Sequence, residues 1–190
     1  MDRLANHFRL LDKLLGGKSK IPVGVSSCLV GDKVRYDGDH KHSVFITDTL
    51  GQYLQFNKFC PELEIGLGVP RKPIRLTKNK QGLIRCVQIG NGSIDVTDSL
   101  QDLADQQASW HQQLCGYIFK KGSPSCGLGN VKIWDKEVFE KRGTGIYAGK
   151  FIENFPGIPV IDEDKLDDPL SREDFLGRVI SCWKFRNEFG

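Results

Sequence analysis

Apolar positions along this chain change their period several times, and each change marks an element. Leu4, Phe8, Leu11, Leu14 and Leu15 fall on one face at helical spacing, and Gly16-Gly17 supplies a stop. This predicts an amphipathic helix that forms an N-terminal extension over residues 1–20. From Val23 a β-branched run ends at Ser26-Ser27, and Cys28 follows at the head of a glycine-punctuated polar loop reaching Gly38. That is the pattern of a buried strand delivering a cysteine to a turn. The pattern recurs twice. QFNKFCPE (Gln55 to Glu62) ends an apolar run at Cys60-Pro61, and GYIFKKGSPSCG (Gly116 to Gly127) ends one in a Gly/Ser/Pro loop carrying Cys126.

Between these runs, Ser43 is placed to cap a crossover helix carrying Val44, Phe45, Leu50 and Leu54, which Gly51 weakens. Glu64 to Pro73 holds too many Gly and Pro for a regular element and reads as a loop near the site. Ile74 to Thr77 and Leu83 to Ile89, divided by KNKQG, predict a hairpin. A long helix is predicted from Thr97 or Asp98 through Leu100, Leu103, Ala104, Ala108 and Leu114 to Gly116, with strand Tyr117 to Phe119 directly after it. Strands follow at Val131 to Trp134 and Ile158 to Ile161, around a short helix from Ile146 to Phe155. A last helix from about Ser171 turns Phe175, Val179, Cys182 and Trp183 inward. The acidic run Asp162 to Asp168 is expected to be a solvated loop. Alternating helix and strand patterns predict one α/β domain over residues 21–190, with a mainly parallel central sheet, helices on both faces and a small hairpin. Ligands collect outside the carboxyl ends of the strands in such sheets, so Cys28, Cys60 and Cys126 are expected at one edge.

Composition narrows the function classes. The 190 residues are 39% hydrophobic and 27% charged, which suits one globular domain and excludes a disordered or fibrous chain. A net charge of +3 permits an anionic ligand without arguing for nucleic acid. An RNA-binding adaptor needs a basic face or an aromatic stacking platform, and the aromatic residues, 9% of the chain, fall mostly at core-like positions. Met1 to Lys20 lacks the uninterrupted apolar run of a signal peptide, and no segment approaches the roughly 20 apolar residues of a membrane span. A cytoplasmic setting is expected, with the six cysteines as reduced thiols.

Those cysteines divide into two groups. Cys86, in a strand pattern, Cys115, at a helix end, and Cys182, on a helical core face, read as small hydrophobes. Cys28, Cys60 and Cys126 lie in loops beside Gly, Pro and Ser, where free backbone N–H groups favour a thiolate. Their spacing does not choose between zinc and an iron–sulfur cluster. His40 and His42 read as an exposed loop rather than as metal ligands.

The segments SSCLVGDKVRYDG, CPELEIGLGVPR, FKKGSPSCGL and GTGIYA, in that order, resemble the thiouracil desulfidase family over roughly Ile21 to Ile180. The resemblance implies a 4Fe-4S cluster held by Cys28, Cys60 and Cys126, with one iron left open as a Lewis acid for the sulfur of a thiolated pyrimidine. The implied reaction is non-redox: sulfur leaves as hydrosulfide while water attacks the carbon. GLGVPR resembles members with a second, C-terminal domain that act on thiolated RNA. This chain ends without one, which favours a free base such as 4-thiouracil, or its nucleotide, over tRNA. Gly122 departs from the longer polar residue that family members place before SPSC. Glu62, two residues after Cys60, is the candidate general base. Ser27 and Ser125 are further catalytic candidates, and Ser123 a substrate contact, as hydrogen-bond donors to cluster or substrate. Arg35, Lys120 and Lys121 flank the expected site as phosphate contacts, with Tyr36 and Asp37 beside Arg35. An electron-transfer or zinc module would use the same thiols but need neither base nor pocket.

Overall fold

Four strands run in one direction, and three of them lead into the cysteine loops. The computed structural model describes residues 3–16 and 19–189. Helix α1 (Arg3–Leu15) precedes β1 (Ile21–Ser26), a 3-10 turn over Ser27–Val30, and β2 (Leu54–Phe59). A single turn, α2 (Pro61–Glu64), leads by a loop to β3 (Ile74–Lys78), β4 (Ile84–Gln88) and β5 (Asn91–Asp95). Helices α3 (Thr97–Gln106) and α4 (Ala108–His111) precede β6 (Tyr117–Phe119), β7 (Val131–Asp135) and β8 (Val138–Gly143). The chain closes with α5 (Ile146–Asn154), β9 (Val160–Asp162), a 3-10 turn over Glu163–Asp167, and α6 (Pro169–Phe189).

The central sheet has the order β2-β1-β6-β9 with every pair parallel. Strand β1 is nearly all apolar because both faces of a parallel sheet are covered, and Ile21, Val23 and Val25 are fully buried. One core joins β1 to Leu11 and Leu15 of α1 and to Phe175, Leu176 and Val179 of α6. A second core sets α3 and α5 against Tyr117 and Phe119 of β6. The helices thus lie on both faces, as the alternating pattern predicts. The side chains of Leu4 and Leu14 and the expected stop at Gly17 lie outside the described residues. Among the described residues no helix is long and apolar enough to cross a membrane.

The hairpin is larger than its sequence suggests. β3 and β4 pair antiparallel, but they belong to a five-stranded mixed sheet of order β5-β4-β3-β7-β8. Strand β7 joins that sheet rather than the central one, pairing parallel with β3. Strands β5 and β8 escape the pattern because they are mostly exposed and polar, so neither carries a buried stripe. The crossover helix is replaced by a π-helical turn over Phe45–Thr49 and a 3-10 turn over Leu50–Gln52. Ser43 does accept the Ile46 amide, at 3.4 Å, but Val44 faces solvent and Leu54 already opens β2. The long helix breaks at Gln107, whose side chain accepts Trp110 Nε1 at 2.6 Å while Trp110 packs on Phe59. The acidic run is not a solvated loop: Asp162 and Leu166 are buried. Asp162 accepts the Leu128 amide at 3.1 Å, and Glu163 and Asp164 pair with lysines.

Close approach at Gly24 fixes β1 against β6. A Cβ there would stand 2.4 Å from the Tyr117 ring, which is fully buried and stacked on Phe119 at 4.0 Å. The ring has nowhere to retreat. Gly24→Ala should therefore destabilise the fold by about 1 to 3 kcal/mol in urea unfolding. Parent-like stability would show that β1 and β6 are not held at this distance.

Candidate functional site

The three cysteines that end or follow central strands meet at one cavity of about 200 Å³. Cys28 sits in the 3-10 turn after β1, Cys60 precedes the single turn α2, and Cys126 lies in the loop after β6. Cys28 and Cys126 are buried and Cys60 is half-buried. All three thiols are pushed above the usual thiol range, chiefly by burial, with Cys28 reaching about 11. Cys60 raises both of the others by charge repulsion. Leu63 and Glu62 amides act the other way on Cys60, and the Ser125 and Ser26 hydroxyls on Cys126. Three thiolates therefore need a positive centre among them, and soft thiolate donors suit iron–sulfur or zinc chemistry. Among the described residues no three His, Cys, Asp or Glu side chains are gathered closely enough to grip a single ion.

One ion pair ties the three cysteine loops together. Arg71 donates to Glu62 Oε2 through Nε at 2.9 Å and Nη2 at 2.8 Å, with side chains only 5% and 13% exposed. Its Nη1 donates to the carbonyls of Val34, at 3.0 Å in the Cys28 loop, and Gly68, at 2.8 Å. The other oxygen, Glu62 Oε1, accepts Ser125 Oγ at 2.8 Å, next to Cys126. Ser123 Oγ accepts the amides of Ser125 at 3.3 Å and Cys126 at 3.2 Å. That occupies its lone pairs, so its hydrogen points to Ser125 Oγ at 2.9 Å. The hydroxyl chain therefore runs from Ser123 through Ser125 to Glu62.

The segment GTGIYA supports this arrangement from behind. Gly145 donates to the Gly127 carbonyl at 2.7 Å, and Ile146 and Ala148 at the start of α5 donate to Pro124 and Ser125. A Cβ at Gly145 would stand 2.5 Å from the Cys126 amide, so only glycine lets α5 approach the SPSC turn.

The remaining predicted residues divide. Ser27, Arg35, Tyr36, Lys120 and Lys121 line the cavity with Glu62, Ser123 and Ser125. Asp37 does not: it lies outside, paired with Arg35 at 3.1 Å. The cations arrive with partners already in place. Lys120 pairs with Glu163, and exposed Lys121 pairs with Asp164 at 2.9 Å, so a phosphate would compete with carboxylates at both. His40 and His42 stay in the polar loop, where His42 bonds Thr47 at 3.0 Å.

A family model described as 2-thiouracil desulfurase matches residues 23–163. The chain belongs to this family. A curated relative, the uncharacterized protein YbbK of Bacillus subtilis, is 30% identical over 154 residues, covering 77% of this chain and 98% of that protein. A solved structure, the [4Fe-4S]-dependent thiouracil desulfidase TudS, is 30% identical with a TM-score of 0.61, covering 82% of this chain and 99% of that one.

In this desulfurase family member, sequence reasoning missed Arg71, which stands at the end of GLGVPR with no charge pattern to mark it. It missed Ser26 as well, whose Oγ accepts the Lys120 amide at 3.0 Å and links β1 to β6 beside the cavity. Their partners lie 9 and 94 positions away in sequence, so spacing carries no signal.

Breaking a buried ion pair strands a charge and costs about 3 to 5 kcal/mol. Arg71→Met should lose stability on that scale, whereas Arg71→Met combined with Glu62→Gln should lose less than the two single changes summed. A double-mutant cycle in urea measures this; additive losses would show that Arg71 and Glu62 do not act as a unit.

Proposed function

We propose that the protein removes sulfur from a thiolated uracil, exchanging C=S for C=O and releasing hydrosulfide, with a 4Fe-4S cluster held by Cys28, Cys60 and Cys126. The observation that carries this is a carboxylate, Glu62, fixed at both oxygens on the same cavity that receives the three thiols. The donor set fits the cluster of the similar desulfidase. Three thiols with raised proton affinity, two of them buried and one half-buried, are costly to ionise unless a strong cationic centre stands among them. An electron-transfer module has no use for a positioned carboxylate. When bound, the cluster supplies a Lewis-acidic iron for the thiocarbonyl sulfur.

The chain's own groups supply the rest. Arg71 occupies Glu62 Oε2 and gives the carboxylate a fixed countercharge, leaving Oε1 as the oxygen that works. Glu62 takes a proton there from the water attacking the thiocarbonyl carbon. Ser125, already donating to Oε1, is the contact through which that oxygen is aimed, and Ser123 holds Ser125 in turn. Ser27 borders the cavity as a donor to the ring. The carbon keeps its oxidation state when sulfur is exchanged for oxygen, so no electron is needed. Water contributes the new oxygen, and the sulfur departs as hydrosulfide.

Anaerobic protein should convert 4-thiouracil and 4-thiouridine monophosphate to their oxo forms, read as loss of thiocarbonyl absorbance with matching release of hydrosulfide. Glu62→Gln should retain iron but slow turnover by about a hundred- to ten-thousand-fold. Parent-rate turnover by this variant would reduce Glu62 to a structural link between the loops.

A further inference from the structure

The catalytic cavity opens onto a groove of about 700 Å³ across the outer face of the second sheet, and the two share Tyr36, Ile74, Lys121, Gly122 and Pro124. The first row of side chains beyond the cavity is cationic. Lys132 on β7 stands directly opposite Lys141 on β8. Leu76 of β3 pairs with Ile133, so one step back along both parallel strands sets Arg75 beside Lys132. Three adjacent strands therefore present Arg75, Lys132 and Lys141 in line. Among the described residues none of the three has an acidic partner, and Arg75 Nε is buried without an acceptor. Like charges directly across a ladder repel, and among the described residues no carboxylate pairs with any of the three. Of the acids at the groove, Asp164 is engaged by Lys121 and Asp162 is turned inward to the Leu128 amide.

The second row is aromatic. Trp134 and Phe139 are register partners with ring centroids 4.8 Å apart. Arg75 and Lys132 hold cations 5.5 and 5.7 Å from the Trp134 ring, and Lys132 Nζ lies 4.2 Å over the Phe139 ring. Lys132, Lys141 and Phe139 are exposed, while Arg75 and Trp134 are half-buried. Cations beside accessible rings form the pairing that grips single-stranded nucleic acid: cations take phosphates, and rings stack on unpaired bases. The catalytic cavity alone falls below the roughly 300 to 1,000 Å³ that encloses a drug-sized ligand, so whatever is attached to the reacting base must leave it, and this groove is where it emerges.

We propose that the outer face of the second sheet is a binding platform for single-stranded RNA, with Arg75, Lys132 and Lys141 on the phosphates and Trp134 and Phe139 under flanking bases, so that the thiolated base enters the cavity from a strand. This rests on the desulfuration reading for the cavity, but the platform is tested separately. The sequence shows no basic stripe because its members come from three strands, two of them separated from the third by more than 50 positions.

The test is fluorescence anisotropy of the anaerobic, cluster-loaded protein with a fluorescein-labelled single-stranded RNA of about ten nucleotides, rich in uridine. Three neutralised phosphates predict that log affinity falls with log salt at a slope of about −2. Lys132→Glu with Lys141→Glu should weaken binding at least tenfold and flatten that slope. Trp134→Ala should weaken it roughly five- to hundredfold with the slope kept, because it removes stacking rather than charge. Turnover of free 4-thiouracil by the double charge reversal should match the parent. No binding by the parent, parent-like binding by the double variant, or tighter binding of a duplex of equal length would each overturn the platform. Failure of the desulfuration reading would show differently, as a parent that leaves 4-thiouracil unchanged whatever its affinity for RNA.

Discussion

The Arg71–Glu62 ion pair is the constraint on which the site depends. A strand end gives each cysteine its position along the sheet, but the loops beyond the strands have no ladder to hold them. Arg71 reaches the Cys28 loop through Val34 and the Cys60 turn through Glu62, and Glu62 reaches the Cys126 loop through Ser125. Three segments far apart in sequence are thereby fixed around one cavity. The arrangement is polar and largely buried, so each member depends on the others. Removing one leaves a charge or a hydroxyl without its partner, at a cost that exceeds the worth of any single contact.

The same constraint shapes the chemistry. Burial raises the proton affinity of all three thiols, and Cys60 raises that of Cys28 and Cys126 further, so holding them as thiolates calls for a positive centre among them. The carboxylate beside them is engaged at both oxygens, so it keeps its place when the cavity fills. Lys120 and Lys121 have their own carboxylates in Glu163 and Asp164 and contribute less to such a centre than their charge suggests. The two sheets therefore carry different groups: thiols and a carboxylate at the edge of the first, and a row of cations beside Trp134 and Phe139 on the second.

How much of this was legible in sequence follows from the range of each interaction. The parallel sheet and the convergence of Cys28, Cys60 and Cys126 were readable, because buried strands ending in Gly, Ser and Pro write their pattern locally. The motif resemblance pointed to the family that the comparisons then matched. The second sheet was not readable: β5 and β8 are exposed and polar, and the choice of β3 as neighbour for β7 is a tertiary decision. The acidic run read as solvent-facing since its counterions, Lys120 and Lys121, lie more than 40 positions upstream. Arg71 was hidden for the same reason. Its role comes from what it reaches, and a lone arginine after Val-Pro announces nothing.

The central claim is that Cys28, Cys60 and Cys126, and not the other three cysteines, hold an iron–sulfur cluster at this cavity. Iron and sulfide analysis of anaerobically purified protein, with its visible absorption spectrum, tests this most directly when applied to six single Cys→Ser variants beside the parent. The account predicts about four irons per chain in the parent. It predicts loss of the cluster on changing Cys28, Cys60 or Cys126, and retention on changing Cys86, Cys115 or Cys182. Stoichiometric zinc without iron in the parent, or a cluster that survives replacement of any of the first three, would contradict it.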